Sequence, residues 1–303
     1  MIYYFCKFAV KEVMNRVKVI LSLIIVLILS HEVVAQEETA LNEIISIENN
    51  LKATSLSIIQ TPVESIRRKA VKKFIDSFKI ALEYPESFDY PFDSFKTVQK
   101  LYSPDKKMRL YTFNLILNNQ DHHYFGFIQY KTKKGIVLME LKDTLQTLPK
   151  EHLFAELYEN EWIGCLYYDI KEFKKKGTTY YTVLGYDGAT RSSSKKWADV
   201  IWFNKDDEIT FGYPLFKIHQ DDYEPQYRYE LEYANDANAV FKHETTNKKK
   251  RDLIVLSFLD AKTPSFKDVR SAYYPDGTYD FFIFEKKKWV FNKNLLYFDF
   301  KPK

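Results

Sequence analysis

Glycine is scarce in this chain: eight in 303 residues, all of them after Phe125. The Gly-rich phosphate loops therefore have no material here. Neither G-x-G-x-x-G nor G-x-x-x-x-G-K-S/T occurs, and Gly185-Tyr-Asp-Gly188 is only a turn pair. No G-x-S-x-G elbow and no H-E-x-x-H pair is present, which removes the markers of the common serine hydrolases and zincins. Cysteine is nearly missing, with Cys6 and Cys165 the only two. A block of one charge sign is missing as well. Lysine and arginine number 45 against 41 aspartates and glutamates, for a net charge of +4. A nucleic-acid binder concentrates basic charge, so no nucleic-acid partner is expected, and no motif calls for a cofactor.

Long hydrophobic runs are also lacking. The longest, Val19-Ile-Leu-Ser-Leu-Ile-Ile-Val-Leu-Ile-Leu29, falls short of the roughly 20 apolar residues that span a bilayer. Arg16 and Lys18 precede it and Val33-Val34-Ala35-Gln36 follows. A charged start, a short apolar core and a Val-x-Ala exit describe a secretory signal peptide over residues 1–35. Lys7, Lys11 and Glu12 fit that pattern poorly, so Met14 reads as the true start; an uncleaved anchor is the alternative. Cleavage after Ala35 removes four basic and two acidic residues and leaves a net charge of +2. It also removes Cys6, so no intramolecular disulfide forms. Cys165 sits in Trp162-Ile-Gly-Cys-Leu-Tyr167, apolar enough to bury it. The expectation is a periplasmic or secreted protein with no stable membrane span after cleavage.

What the chain has in quantity is aromatic residues, 23 Tyr and 24 Phe, which favour strands. From Glu37 to about Tyr84, however, the apolar period is helical. Thr61-Pro62-Val63-Glu64 reads as the capped start of a second helix, with Thr61 as cap and Glu64 completing a capping box. Arg67, Arg68, Lys69, Lys72 and Lys73 then fall on its polar side. From Thr97 onward the spacing becomes that of short strands separated by turns such as Ser103-Pro-Asp-Lys106, Asn204-Lys-Asp-Asp207 and Tyr274-Pro-Asp-Gly277. Expected strands include Trp197–Phe203 and a last one at Leu296–Phe300, and Glu151–Glu161 reads as a short helix. The predicted fold is α+β: residues 36–95 form a helical segment and 96–303 a large antiparallel β-meander. That region is sandwich- or barrel-like, with a β-propeller as the alternative.

Two resemblances bear on this. Ser103-Pro-Asp-Lys and Tyr274-Pro-Asp-Gly277 resemble the Ser-Pro-Asp-Gly turn of TolB-type β-propeller repeats, over four residues at two unequally spaced places. Tyr180-Tyr-Thr-Val-Leu-Gly-Tyr-Asp-Gly188, the Lys195-Lys196 pair before an apolar strand and the final Pro-Asp-Gly-x-Tyr-Asp turn are similar to a loose group of exported bacterial β-rich proteins. That likeness implies an envelope or secreted location and no particular activity.

The loop Gly188–Lys196 carries the candidate ligand chemistry. Arg191, Ser194, Lys195 and Lys196, with Asp187 beside them, offer groups suited to a phosphate, sulfate or carboxylate. A flexible soluble connection is the plain alternative. Asp121-His122-His123 is the only histidine cluster. Neighbouring strand residues face opposite ways, so no metal site is assigned and a polar hairpin loop is expected. Asp187, Asp199, Glu230 and Glu232 lie in or beside strands, where glycoside chemistry wants two carboxylates about 5–9 Å apart. Trp197 and Trp202 should face opposite sides of their strand. No catalytic residue is assignable. The expected function is a non-enzymatic binding module for a protein partner or surface glycan. The alternative is a hydrolase of envelope or extracellular polymers using paired carboxylates in a β cleft.

Overall fold

The structure is a computed structural model that describes Lys18, Leu21 and residues 36–218, 224–246 and 250–293. The rest of the expected signal segment 1–35, His219 and the expected strand Leu296–Phe300 lie outside the described residues. Two helices come first, α1 over 36–60 and α2 over Glu64–Glu83. Among the described residues no helix is long and apolar enough to cross a membrane.

The first sheet is an antiparallel meander of β1 (Gln99–Tyr102), β2 (Met108–Ile116), β3 (His122–Thr132) and β4 (Gly135–Lys142). A six-stranded sheet follows, five of its strands being β5 (Leu157–Tyr158), β6 (Leu166–Lys175), β7 (Thr178–Asp187), β8 (Ser193–Phe203) and β9 (Ile209–Phe211), with the sixth supplied later in the chain. Its order is β5-β9-β8-β7-β6. The chain then leaves through β10 (Phe216–Lys217) and returns as β11 (Tyr229–Ala234), which pairs with the first half of β8. The third sheet holds β12 (Phe241–Thr245), β13 (Asp252–Ala261), β14 (Tyr273–Glu285) and β15 (Lys288–Asn292). Strand β10 runs parallel along β15, so this sheet is mixed rather than wholly antiparallel.

Side-chain alternation stacks these layers. Tyr111, Phe113, Leu115 and Phe127 of the first sheet pack under Phe74 and Phe78 of α2. Met108, Leu110, Ile128 and Met139 point the other way, against Val183, Trp197 and Ile201 of the six-stranded sheet. That sheet's far side, Leu184, Ala198 and Val200, meets Ile254, Leu256 and Phe282 of the third. The fold is α+β and sandwich-like, a helical layer on three stacked sheets, with no closed barrel among the described residues. Trp197 and Trp202 do face opposite cores, and Cys165 is buried and unpaired.

Several local expectations differ from what forms. Helix α2 begins without a side-chain cap. Instead Arg67, expected on the polar side, is buried and donates through Nη1 to the carbonyls of Thr61 (2.8 Å) and Pro62 (2.9 Å). Glu64 accepts from the Asn118 N–H at 2.8 Å, tying the helix start to the β2–β3 hairpin rather than closing a capping box. Residues 151–161 contain a 3-10 turn, Lys150–Phe154, and then β5, so no α-helix crosses there. Strand β8 starts at Ser193, four residues before Trp197, because β11 supplies backbone partners to Ser193–Ala198. Tyr274-Pro-Asp-Gly277 reverses nothing. It lies inside β14 as a bulge against Ser257–Leu259, with Gly277 at φ +93° and Asp276 accepting from the Thr278 N–H at 2.8 Å.

With few glycines and no disulfide, the irregular segments need another source of hydrogen bonds. Buried cations provide it. Arg109 Nη1 on β2 donates to the carbonyls of Ser87 (2.9 Å), Phe88 (2.8 Å) and Tyr90 (2.6 Å), its guanidinium lying over Tyr102 and Tyr111. Lys100 donates to Phe92 and Phe95 at 2.7 and 2.8 Å, and burial pulls its amine down to about 8. Arg228, fully enclosed, donates through Nη1 to the carbonyls of His152 and Ala155 and through Nη2 to Phe211 (3.1 Å). Its Nε donates to Asp199 Oδ1 at 3.2 Å, and both side chains are 0% exposed. Gly212, at φ +89°, leaves the space: a Cβ there would come within 2.4 Å of Arg228 Nη2.

Removing one partner of such a pair strands a buried charge, which costs about 3–5 kcal/mol. Asp199→Ala and Arg228→Met should each lose that much in urea unfolding. A loss under about 1 kcal/mol in both would mean that the guanidinium is not what holds this corner.

Candidate functional site

The five residues of the expected ligand loop divide between two faces. Asp187, at the end of β7, sits opposite Lys195 of β8 in the face toward the first sheet. Asp187 is only 4% exposed. Its Oδ1 accepts from the Ala189 N–H at 2.7 Å, and it also meets the Tyr124 hydroxyl. Burial pushes its carboxyl up to about 6, against the pull of the Ala189 N–H, Tyr124 and Lys195. Burial by itself would lower Lys195, but the Glu230 carboxylate at 2.8 Å more than offsets this and raises it. Ser194 and Lys196 point to the opposite side. Ser194 donates to Asn235 Oδ1 at 2.7 Å. Lys196, lowered by burial, lies over Tyr168 and Tyr186 at 4.9 and 5.1 Å. Only Arg191 remains exposed, in the short turn 188–192. The donors do not converge on one anion.

The histidine cluster meets that turn. His122 opens β3 with its ring packed on Gly188, where a Cβ would approach within 2.3 Å of the imidazole. Burial lowers its pKa. In the neutral ring Nδ1 accepts from Asn114 Nδ2 at 2.8 Å, leaving the proton on Nε2. His123 faces solvent, and among the described residues no three His, Cys, Asp or Glu groups gather as a metal site. A cleft of about 440 Å³ opens beside His122, Tyr124 and Asp143. Asp143 is already occupied there, accepting from the N–H groups of Tyr124, Leu145 and Gly164, each at 3.3 Å. Of the carboxylates singled out in the sequence, Asp199 is committed to Arg228 and Glu230 to Lys195.

A wider concavity, about 640 Å³, lies where the first and six-stranded sheets reach the surface together. Val137, Leu138 and Met139 of β4 form one wall, and Tyr158-Glu-Asn-Glu161 the other. Asp207, Glu208 and Ile209, from the β8–β9 turn into β9, close the end. Met139 and Ile209 belong to the core between the sheets, so the floor is apolar. Tyr158 is 57% exposed. Glu161 accepts from the Tyr158 N–H at 3.1 Å and Glu208 from Asn204 Nδ2 at 2.7 Å, which fixes two carboxylates on the rim. Arg228 builds the back of this wall, since it holds Ala155, Phe211 and the turn carrying His152. Neither side of the slot stood out in the sequence. Its three segments are far apart along the chain, and the one readable signal was the unalternating Ile136-Val-Leu-Met139.

Asp187 supplies a titration test of this geometry. A carboxyl raised by burial binds its proton more tightly when folded. Its stabilising contribution is therefore complete below the ordinary 3.8 and lost as pH rises through about 6. Asp187→Asn, which mimics the protonated group, should gain on the unsubstituted chain by about 2 kcal/mol between pH 4 and 7 in urea unfolding. A difference that does not change with pH would show that Asp187 is not buried as described. No family model, curated protein or solved structure matches the chain.

Proposed function

We propose that the chain is a non-catalytic interaction module of the cell envelope or the extracellular space, exported by its residues 1–35, which holds a protein partner in the slot beside β4. The observation that carries this reading is the division of labour among the charged groups. Among the enclosed ones, Arg67, Arg109, Arg228 and Asp199 serve the backbone or each other. The rim carboxylates Glu159 and Glu208 face solvent around an apolar floor. A hydrolase needs two carboxylates across a cleft, one of them walled off from water. The walled-off carboxylates among the described residues, Glu48, Asp187, Asp199 and Asp280, do not line the slot. Apolar floor and polar rim are the anatomy of a recognition surface.

Photo-crosslinking tests it. With benzoylphenylalanine replacing Tyr158 in the exported protein, irradiation should give a discrete protein adduct. The same group at Lys267, an exposed position outside the slot, should give none. Peptidoglycan and polysaccharide digests should release no product. Release that disappears in Glu161→Gln or Glu208→Gln would replace this reading with the hydrolase.

A further inference from the structure

Resting on that reading of the slot, we propose that its occupant is an extended basic segment of the partner, added to the first sheet as a strand along β4. Strand β4 ends the order β1-β2-β3-β4 and, among the described residues, pairs as a strand only with β3. In an antiparallel pair every second residue of an edge strand turns its N–H and C=O outward. Among the described residues no other backbone hydrogen bond reaches Ile136–Lys142. The first contact comes just beyond, where Asp143 bridges Trp162 in parallel and the Thr144 N–H donates to the Trp162 carbonyl at 3.0 Å. That bridge brings Trp162 to strand spacing just past one end of β4. The slot of about 640 Å³ lies between Val137, Leu138 and Met139 on one side and Tyr158–Glu161 on the other.

Exposed sheet edges are usually blunted by proline, lysine, a bulge or a covering loop. Strand β4 uses none of these over Ile136-Val-Leu-Met139, and Val137 is 38% exposed. An unguarded edge inside a groove is the geometry of strand addition, in which backbone bonds give affinity and alternate side chains give selectivity. The lining sets that selectivity. Glu159, Glu161, Asp207 and Glu208 stand on the rim and no Lys or Arg lines the slot. Met139, Tyr158 and Ile209 offer apolar contact. A strand that alternates apolar residues with Lys or Arg satisfies both sides at once. A second copy of this chain does not, because pairing two β4 edges would set the same carboxylates against one another.

The test uses the full chain and a fluorescent heptapeptide alternating Lys or Arg with Val. Saturable binding is expected, with amide exchange slowed in Ile136–Lys142. Glu159→Gln, Glu161→Gln, Asp207→Asn and Glu208→Gln combined should weaken it by about tenfold or more at low salt. Peptides N-methylated on alternate residues, one for each edge, keep the charge but lose a row of donors, and one of the two should fail to bind. If both bind like the parent, or β4 exchange is unchanged, strand addition is wrong while the slot survives as a binding site. If no peptide binds but an oligosaccharide does, and Tyr158→Ala abolishes that, the occupant is a glycan and the inference falls. Absence of peptide binding together with absence of the Tyr158 photo-adduct overturns both readings.

Discussion

The guanidinium of Arg228 is the contact on which the surroundings of the slot depend. It is enclosed, it has one carboxylate partner in Asp199, and its remaining donors go to backbone carbonyls on two other segments. Placing a charge there is costly, and the pair alone recovers little over an apolar substitute. What the arrangement adds is position. Strand β8, the end of β9 and the irregular stretch before β5 are held at fixed separation by one planar group. Arg109 and Arg67 repeat the device at the aromatic linker and at the start of α2. An arginine can serve several carbonyls because its five N–H groups diverge in a rigid plane.

These arginines also explain which parts of the molecule were legible from residues alone. Periodicity located both helices and most strands, and the alternation of Trp197 and Trp202 was readable because it depends on local geometry alone. Arg67 was misread because its helical position is polar by pattern, whereas its partners come from Thr61, Pro62 and the distant β2–β3 hairpin. Ser193–Lys196 looked like loop because serines and lysines usually solvate. The pairing with Tyr233, Leu231 and their neighbours on β11 overrides that composition. Pro275-Asp-Gly277 looked like a chain reversal, yet a strand can absorb the same residues as a bulge.

The candidate site was less readable than the fold. Asp187 and His122 were visible as polar residues near turns, and the fold does bring their neighbourhoods together over Gly188. The slot was not visible, because its chemistry depends on the sheet edge, on Tyr158–Glu161 and on Asp207–Ile209 arriving side by side. Nothing in any one of these segments marks it. An unguarded strand edge is a property of topology, and only the strand order reveals it.

The stacking of layers has a dynamic consequence. Strands β7 and β8 have core on both faces, with the first sheet on one side and the third on the other. Water gains their amides only when an outer layer is lifted away, so they belong to the last unit to open. The edge strands β4 and β5 sit at the opposite extreme. The protein thus keeps its most rigid element in the middle layer and its most accessible backbone at the rim, so the amides of the slot edge exchange long before the frame behind them opens.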